Sequence, residues 1–333
     1  MLEIPLIVLL VIALALLFDY TNGFHDTANA IATVVATRVL SPRNAIIMAV
    51  VFNFLGALLT TYVAKTIAAG LIETNKTTEL VVLAAIIGAI TWNLITWWLT
   101  LPSSSSHALI GGLLGAAFAH AGNKALQWTN IWFKVLLPMV FAPITGFIAG
   151  LLVMSSIYFT CSKARTHPIS PLFKGLQVFA AAFKALSHGQ SDAQKSMGII
   201  TISLVTAGLH QGNEVPLWVI LSCATAIALG TAAGGWRIIN TMGNKIVHLE
   251  PVHGFASDSS AATIIFTTSM MGMPISTTQI VASSIFGVGT AKGAQKVRWI
   301  VGQRILIAWI LTLPAAALIS ALAYWFLNIL QIF

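Results

Sequence analysis

Two aspartates, Asp26 and Asp192, stand in otherwise apolar surroundings, each inside a copy of one polar motif. The first copy reads Asn22-Gly23-Phe24-His25-Asp26-Thr27-Ala28-Asn29 and the second His188-Gly189-Gln190-Ser191-Asp192-Ala193-Gln194-Lys195. Each has Gly three residues before Asp and a polar residue three after it. On a helix, Asn22, Asp26 and Asn29 share a face through i+4 and i+3 spacing, and so do His188, Asp192 and Lys195. A carboxylate at the centre of a membrane helix costs about 2.5–3.5 kcal/mol even on insertion scales, so it faces a cavity, an ion or a partner. A single Asp is explained by a bond to a neighbouring helix. A duplicated one points to cation chemistry.

The second duplicated motif is Pro102-Ser103-Ser104-Ser105-Ser106-His107, matched by Pro274-Ile275-Ser276-Thr277-Thr278-Gln279, with Gly115 and Gly287 at the same offset beyond. Proline suits a first helical turn, and the residues after each run are apolar, so each run opens a half-helix. A helix N-terminus offers free N–H donors and partial positive charge, which suits an oxyanion, and hydroxyls add donors without a counter-charge. The plain alternative is capping and helix packing by small residues; the second copy favours the oxyanion. A divalent oxyanion beside two aspartates would crowd like charges at low dielectric, so cations or protons must enter with it. Lys195 supplies one positive charge unless it snorkels to an interface.

These motifs need elements to hold them. Of 333 residues 57% are hydrophobic and only 8% charged, with a mean hydropathy of +0.89. Soluble domains carry about a quarter charged residues, so the expected fold is an all-α polytopic membrane protein. The N-terminal MLEIPLIVLLVIALALLF lacks an early Lys or Arg and a small-x-small site, and reads as a first retained helix. Cys161 and Cys223 form no framework. The net charge of +8 lies in short connections, among them Arg38, Arg43, Lys163, Arg165, Lys174, Lys292, Lys296 and Arg298. Basic loops of this kind face anionic lipid, and no nucleic-acid module is visible.

Apolar segments run at about 4–18, 27–37, 44–64, 80–100, 108–121, 131–159, 172–187, 197–211, 216–234, 261–272, 279–290 and 300–330. Several are too short for a bilayer core of about 30 Å, which predicts broken helices and re-entrant helical hairpins enclosed by protein. Residues 1–160 and 176–333 are expected to be two structural repeats, inverted, joined by a basic loop over 161–175. Interrupted segments at matching positions of two halves mark secondary transporters, with the site at the repeat interface.

At these motifs the sequence resembles the inorganic phosphate transporter (PiT) family. NGFHDTANAIAT, AAIIGAITWNLITWWLTLPSSSSHALIGG, SHGQSDAQKSMGII, MPISTTQIVASSIFGVG and the late IVGQRILIAWILTLPAAALIS carry the likeness over nearly the whole chain. The resemblance implies a homodimeric inverted-repeat carrier in the plasma membrane, moving phosphate with protons or sodium. In bacterial members phosphate can travel as a neutral complex with a divalent metal. Carried over, Ser104, Ser105, Ser106, Ser276, Thr277, Thr278 and Asn29 are phosphate ligands. Asp26 and Asp192 serve the coupling cation, with Asn22 and Gln194 beside them. No catalytic group, resident metal or cofactor is expected, and the partners are phosphate and membrane lipid. Proton coupling is favoured over sodium. Ser191 stands where the family usually has Asn, and Gln279 where it often has His; both keep hydrogen-bonding capacity.

Asn53, Trp92 and Asn93 lie in full-length spans, with Asn93 either lining a pathway or bonding a neighbouring helix. His120, His167, His210, His248 and His253 share no ligand spacing. Trp97, Trp98, Trp128, Trp132, Trp218, Trp236 and Trp325 sit near segment ends, as an interfacial belt would. Three other functions compete. A sulfate permease on the same scaffold would carry a dianion that cannot donate a proton. A Ser–His hydrolase would need more than adjacent Ser106 and His107, and no GxSxG elbow occurs. A passive channel leaves the duplicated aspartates unexplained.

Overall fold

A computed structural model describes residues 5–73, 77–161 and 166–330, and those are all helices, turns and short connections apart from one isolated bridge between Ile72 and Leu126. The first half runs α1 (Leu6–Ala36), α2 (Pro42–Ala57), α3 (Tyr62–Gly70), α4 (Glu79–Trp98), α5 (Ser105–Ala121), α6 (Trp128–Ile131) and, through a π-turn, α7 (Leu137–Cys161). The second runs α8 (Thr166–Thr206), α9 (Leu217–Ala233), α10 (Trp236–Asn240), α11 (Pro251–Met270), α12 (Thr277–Lys292) and α13 (Trp299–Leu330). The order repeats: a long helix, a bent pair, a 20-residue helix, a half-helix and a closing long helix. The bends fall at matching places, 63° between α2 and α3 and 64° between α9 and the segment from Trp236 to Lys245.

By length and composition α1, α4, the α6–α7 helix and α13 can each cross a membrane, and the two bent pairs raise the number to six among the described residues. The outer surface carries exposed Leu, Ile, Phe and Trp side chains, Trp98 at 71% and Trp325 at 52% exposure among them. Water would not solvate such a surface; acyl chains do.

The expected breaks fall elsewhere than the apolar spacing suggests. Segments 4–18 and 27–37 are one helix, and so are 172–187 and most of 197–211, because the polar motif between them is buried inside the protein and interrupts nothing. At 31 residues α1 is about 45 Å long, more than a bilayer core requires. Conversely, 44–64 is broken at Leu58–Thr61. The 161–175 connection is mostly helix, since α8 begins at Thr166; Lys163 and Arg165 lie outside the described residues, as does the side chain of His167.

The two halves interlock rather than sit side by side. Helix α5 lies on α13 and α12 on α7, so the last helix of each half covers the half-helix of the other. Gly115 and Gly287 make this possible: an added Cβ would strike the Ala317 carbonyl at one and the Phe147 carbonyl at the other. Close approach recurs where α1 crosses α9 at Gly23 and Gly230, and where α8 crosses α2 at Gly189 and Gly56. Helices α1 and α8 run antiparallel, as Asp19 pairs with Ser196, Asn22 with Asp192, Thr33 with Lys184 and Thr37 with Gln177.

Candidate functional site

The two polar motifs of α1 and α8 meet at the middle of this antiparallel pair. The first turns of α5 and α12 meet there too. Ser104 and Ser276, both extended, cap these half-helices: their Oγ atoms accept the backbone N–H of His107 and of Gln279, each at 3.2 Å. Capping leaves each hydroxyl a proton to donate, and the first-turn N–H groups of both helices have no partner within their own helix. Ser106 Oγ donates to the Ile275 carbonyl at 2.9 Å, which ties one N-terminus to the other.

Around this junction Ser105 Oγ donates to Asp26 Oδ2 at 2.9 Å, and Thr278 Oγ1 lies 3.5 Å from Asp26 Oδ1. Thr277 Oγ1 lies 3.4 Å from Asp192 Oδ2. Asn29 Nδ2 donates to Thr278 Oγ1 at 2.8 Å, and Asn22 Nδ2 to Asp192 Oδ2 at 3.2 Å. All these side chains are at most 1% exposed. The Oδ1 atoms of Asn22 and Asn29 and the Oγ of Ser191 are buried with no hydrogen-bond partner among the described residues. A buried polar group of this kind costs about 1–3 kcal/mol unless something else completes it, so the donor and acceptor set suits a polar, charged cargo.

The carboxylates differ in company. Asp26 Oδ1 is 2.7 Å from His25 Nδ1, and the far nitrogen of that ring lies 3.5 Å from both Thr96 Oγ1 and Ser103 Oγ. Asp192 Oδ1 takes the ammonium of Lys195 at 2.6 Å, with His188 Nε2 at 3.4 Å from its other oxygen. Lys195 is 1% exposed and does not snorkel. Asn53 accepts from or donates to neither aspartate; its Oδ1 sits 3.2 Å from His188 Nδ1 and its Nδ2 bonds Thr231, so it orients the His188 ring. One oxygen each from Asp26 and Asp192 and one nitrogen from His188 lie within 4.8 Å of one another, close enough for a cation to bridge.

Of the residues singled out in the sequence, Asp26, Asp192, Asn22, Asn29, Ser104, Ser105, Ser106, Ser276, Thr277 and Thr278 come together. Gln194 does not. It points off the other side of α8, where its Oε1 accepts the Val63 and Ala64 N–H groups at 2.7 and 3.2 Å and so caps α3. Gln194 lies two residues from Asp192, about 200° around the helix, so it cannot share the face that Asp192 and Lys195 occupy. His25, Thr96 and Ser103 are additions. His188 stands beside Asp192 as its spacing on the helix face predicted; Thr96 carried no signal at all. Asn93 is buried with neither amide atom partnered among the described residues, whereas Trp92 Nε1 bonds Thr312 at 3.1 Å. His120 pairs with Tyr324 and His253 with Tyr158, in structural roles.

The family model described as "Phosphate transporter family" matches residues 22–320. The chain belongs to that family. Among curated relatives, a "Probable low-affinity inorganic phosphate transporter" of Bacillus subtilis (strain 168) is 44% identical over 328 residues, covering 98% of each chain. A protein described in the same words from Rhizobium meliloti (strain 1021) is 45% identical over 97% of each. A solved structure, "The sodium-dependent phosphate transporter", superposes with a TM-score of 0.85 at 25% identity, covering 97% of this chain and 99% of that one. The family is one of carriers, which sets aside the hydrolase reading of Ser106 and His107. With its apolar helices, family membership makes this a multi-pass membrane protein.

Proposed function

We propose that this chain imports inorganic phosphate across the plasma membrane by cation symport, with a proton as the coupling ion. The observation that carries the reading is the meeting of two capped helix N-termini, rich in Ser and Thr hydroxyls, with two buried aspartates. Phosphate takes up the donors at the N-termini together with Ser104, Ser105, Ser106, Ser276, Thr277 and Thr278, while Asn29 fixes its orientation through Thr278. The like charges of phosphate, Asp26 and Asp192 then require cations. Lys195 answers one, and a proton shared by the His25–Asp26 pair, whose atoms lie 2.7 Å apart, answers another. Phosphate near pH 7 still carries a proton to donate to a carboxylate and sulfate does not, which supports phosphate over sulfate.

Sodium is the second reading, favoured by the Asp26–His188–Asp192 cluster and by the printed name of the superposable structure. A divalent metal entering with phosphate would use the same cluster. The antiparallel course of α1 and α8, equivalent helices of the two halves, supports an inverted repeat, and such carriers work by rocking one half against the other around a fixed site. A homodimer in the membrane completes the proposal. Phosphate uptake into proteoliposomes, with the proton gradient, sodium and magnesium varied independently, tests it. Uptake should collapse with the proton gradient and survive excess sulfate. Unchanged uptake after both proton and sodium gradients are dissipated would sink the symport reading.

A further inference from the structure

The repeat places Asn29 and Lys195 at the same position, three residues after each aspartate, but the two side chains do opposite things. Asn29 turns away from Asp26 and donates to Thr278 at 2.8 Å. Lys195 reaches back to Asp192 at 2.6 Å and is among the largest fully buried side chains of the protein. Its ammonium therefore stands where a free cation would stand to neutralise Asp192. Among the described residues no ammonium bonds Asp26, whose side-chain contacts are the His25 imidazole, the Ser105 hydroxyl and, at 3.5 Å, that of Thr278.

Building on the symport reading, we propose that Lys195 is a tethered counter-ion that permanently fills the cation position of the second half, so that each phosphate enters with one fewer external cation than two aspartates would demand. A lysine ammonium is a compact point charge of the same valence as sodium, with three donors that a carboxylate can accept. Its four-carbon stem, anchored one helical turn away, holds it at Asp192 without the loss of a free ion from solution. Because the charge never leaves, it contributes to the charge balance of the loaded and unloaded carrier alike. It also fixes which half is open to coupling: the exchangeable cation belongs to Asp26. Such a residue sets the coupling stoichiometry and the ion preference without touching the cargo.

The test is Lys195→Asn, which restores the residue of the first half. Wild-type protein should take up phosphate equally in sodium and in choline media. The variant should lose roughly tenfold in choline, because a buried carboxylate is left without its partner, and recover in sodium. Purified Lys195→Asn protein in detergent should also gain about 2–5 °C of thermal stability on adding sodium without phosphate, as any ion bound only by the folded state produces, while wild type should not. If Lys195→Asn transports like wild type in choline, the tethered charge is not needed and the proposal is wrong. If it is inactive in both media and shows no sodium-dependent stabilisation, the lysine is a structural partner only and the proposal is again wrong. An Asp192→Asn/Lys195→Asn double variant, which removes both charges, should be stable and unresponsive to sodium; a sodium response there would place the ion elsewhere and overturn the assignment. Absence of phosphate uptake by wild type would break the transport reading, while the stability arm would still report on Lys195.

Discussion

Asp26 and Asp192 hold equivalent places in the two halves, on long helices that pass each other antiparallel, and both receive hydroxyls from a half-helix N-terminus. Their charged neighbours differ in kind. Asp26 faces the His25 imidazole at 2.7 Å and no ammonium among the described residues. Asp192 faces the Lys195 ammonium at 2.6 Å, with His188 farther off at 3.4 Å. The two motifs set an aspartate at matching positions, and side-chain divergence put an imidazole closest to one and an ammonium closest to the other. A carrier needs this asymmetry less for binding than for accounting of charge, because each buried negative group must be matched in every state the protein visits.

The sharpest way to break the comparison is to neutralise each aspartate in turn. Asp26→Asn and Asp192→Asn should each reduce phosphate uptake by about 100-fold or more, if charge at these positions is what holds the coupling ion. Only Asp192→Asn should also lower stability, by about 3–5 kcal/mol, because it strands the Lys195 ammonium in the interior. Thermal unfolding of the two purified variants checks this, and equal losses would erase the distinction drawn between the halves. Next in size are the helix crossings that bring the aspartates together. Gly23→Val and Gly189→Val each drive a side chain into the backbone of a neighbouring helix, of α9 and α2 respectively, at a cost of about 3 kcal/mol or more. Gly175→Ala on α8 meets nothing within 4 Å and should stabilise by about 0.5–1 kcal/mol. Yield and thermal midpoint separate these outcomes.

A smaller contrast concerns the hydroxyls. Ser105 bonds Asp26 at 2.9 Å and Thr277 reaches Asp192 only at 3.4 Å, so Ser105→Ala should raise the KM for phosphate by about 5–10-fold and Thr277→Val by less. Uptake kinetics over a range of phosphate concentrations would show it, and the reverse order would shift the weight of the anion site to the second half. The smallest effect contrasts the buried lysine pair with a wet one. Lys292, the last residue of α12, lies 3.0 Å from Glu250, the N-cap of α11, with the Glu250 side chain 55% exposed, and the hydrogen bond to Lys292 lowers the Glu250 carboxyl from its ordinary 4.5. A depressed folded-state value means that the stabilisation is present above pH 4.5 and fades as pH falls through it towards the folded-state value. Solvent screening keeps it below about 1 kcal/mol, so Glu250→Gln should hardly move the thermal midpoint at pH 7.

The residues that make the site were legible because they violate the rule that lipid imposes. Asp26, Asp192 and the two hydroxyl runs are costly in apolar helices, and their recurrence in the same order favours a shared role over packing alone. The membrane class followed from the scarcity of charge. The half-helices expected after Pro102 and Pro274 are there, but the prolines lie two residues before the capping Ser104 and Ser276 and not in the first turn, so the hydroxyl caps start these helices. Gln194 shows where pattern stops. It sits next but one to Asp192 in a shared motif, yet it caps α3, because a two-residue step along a helix points to a different neighbour. Thr96 shows the converse, since nothing in its apolar span marks it as a neighbour of His25.

What the sequence determined by itself, then, is the chemistry: which polar groups the protein keeps in the membrane, in two copies, and what kind of solute could repay their burial. Only the tertiary structure decided who meets whom. It wound α1 and α8 past each other in opposite directions, exchanged the closing helices between the halves, and brought four segments far apart in the chain to one buried point. Helical periodicity fixes which side chains share a face, but the partner of that face is set by long-range close packing, here at Gly23, Gly189, Gly115 and Gly287, and no local pattern carries that information. The pairing of Lys195 with Asp192 lies between the two. Its spacing allowed it, and burial on every side made it a bond.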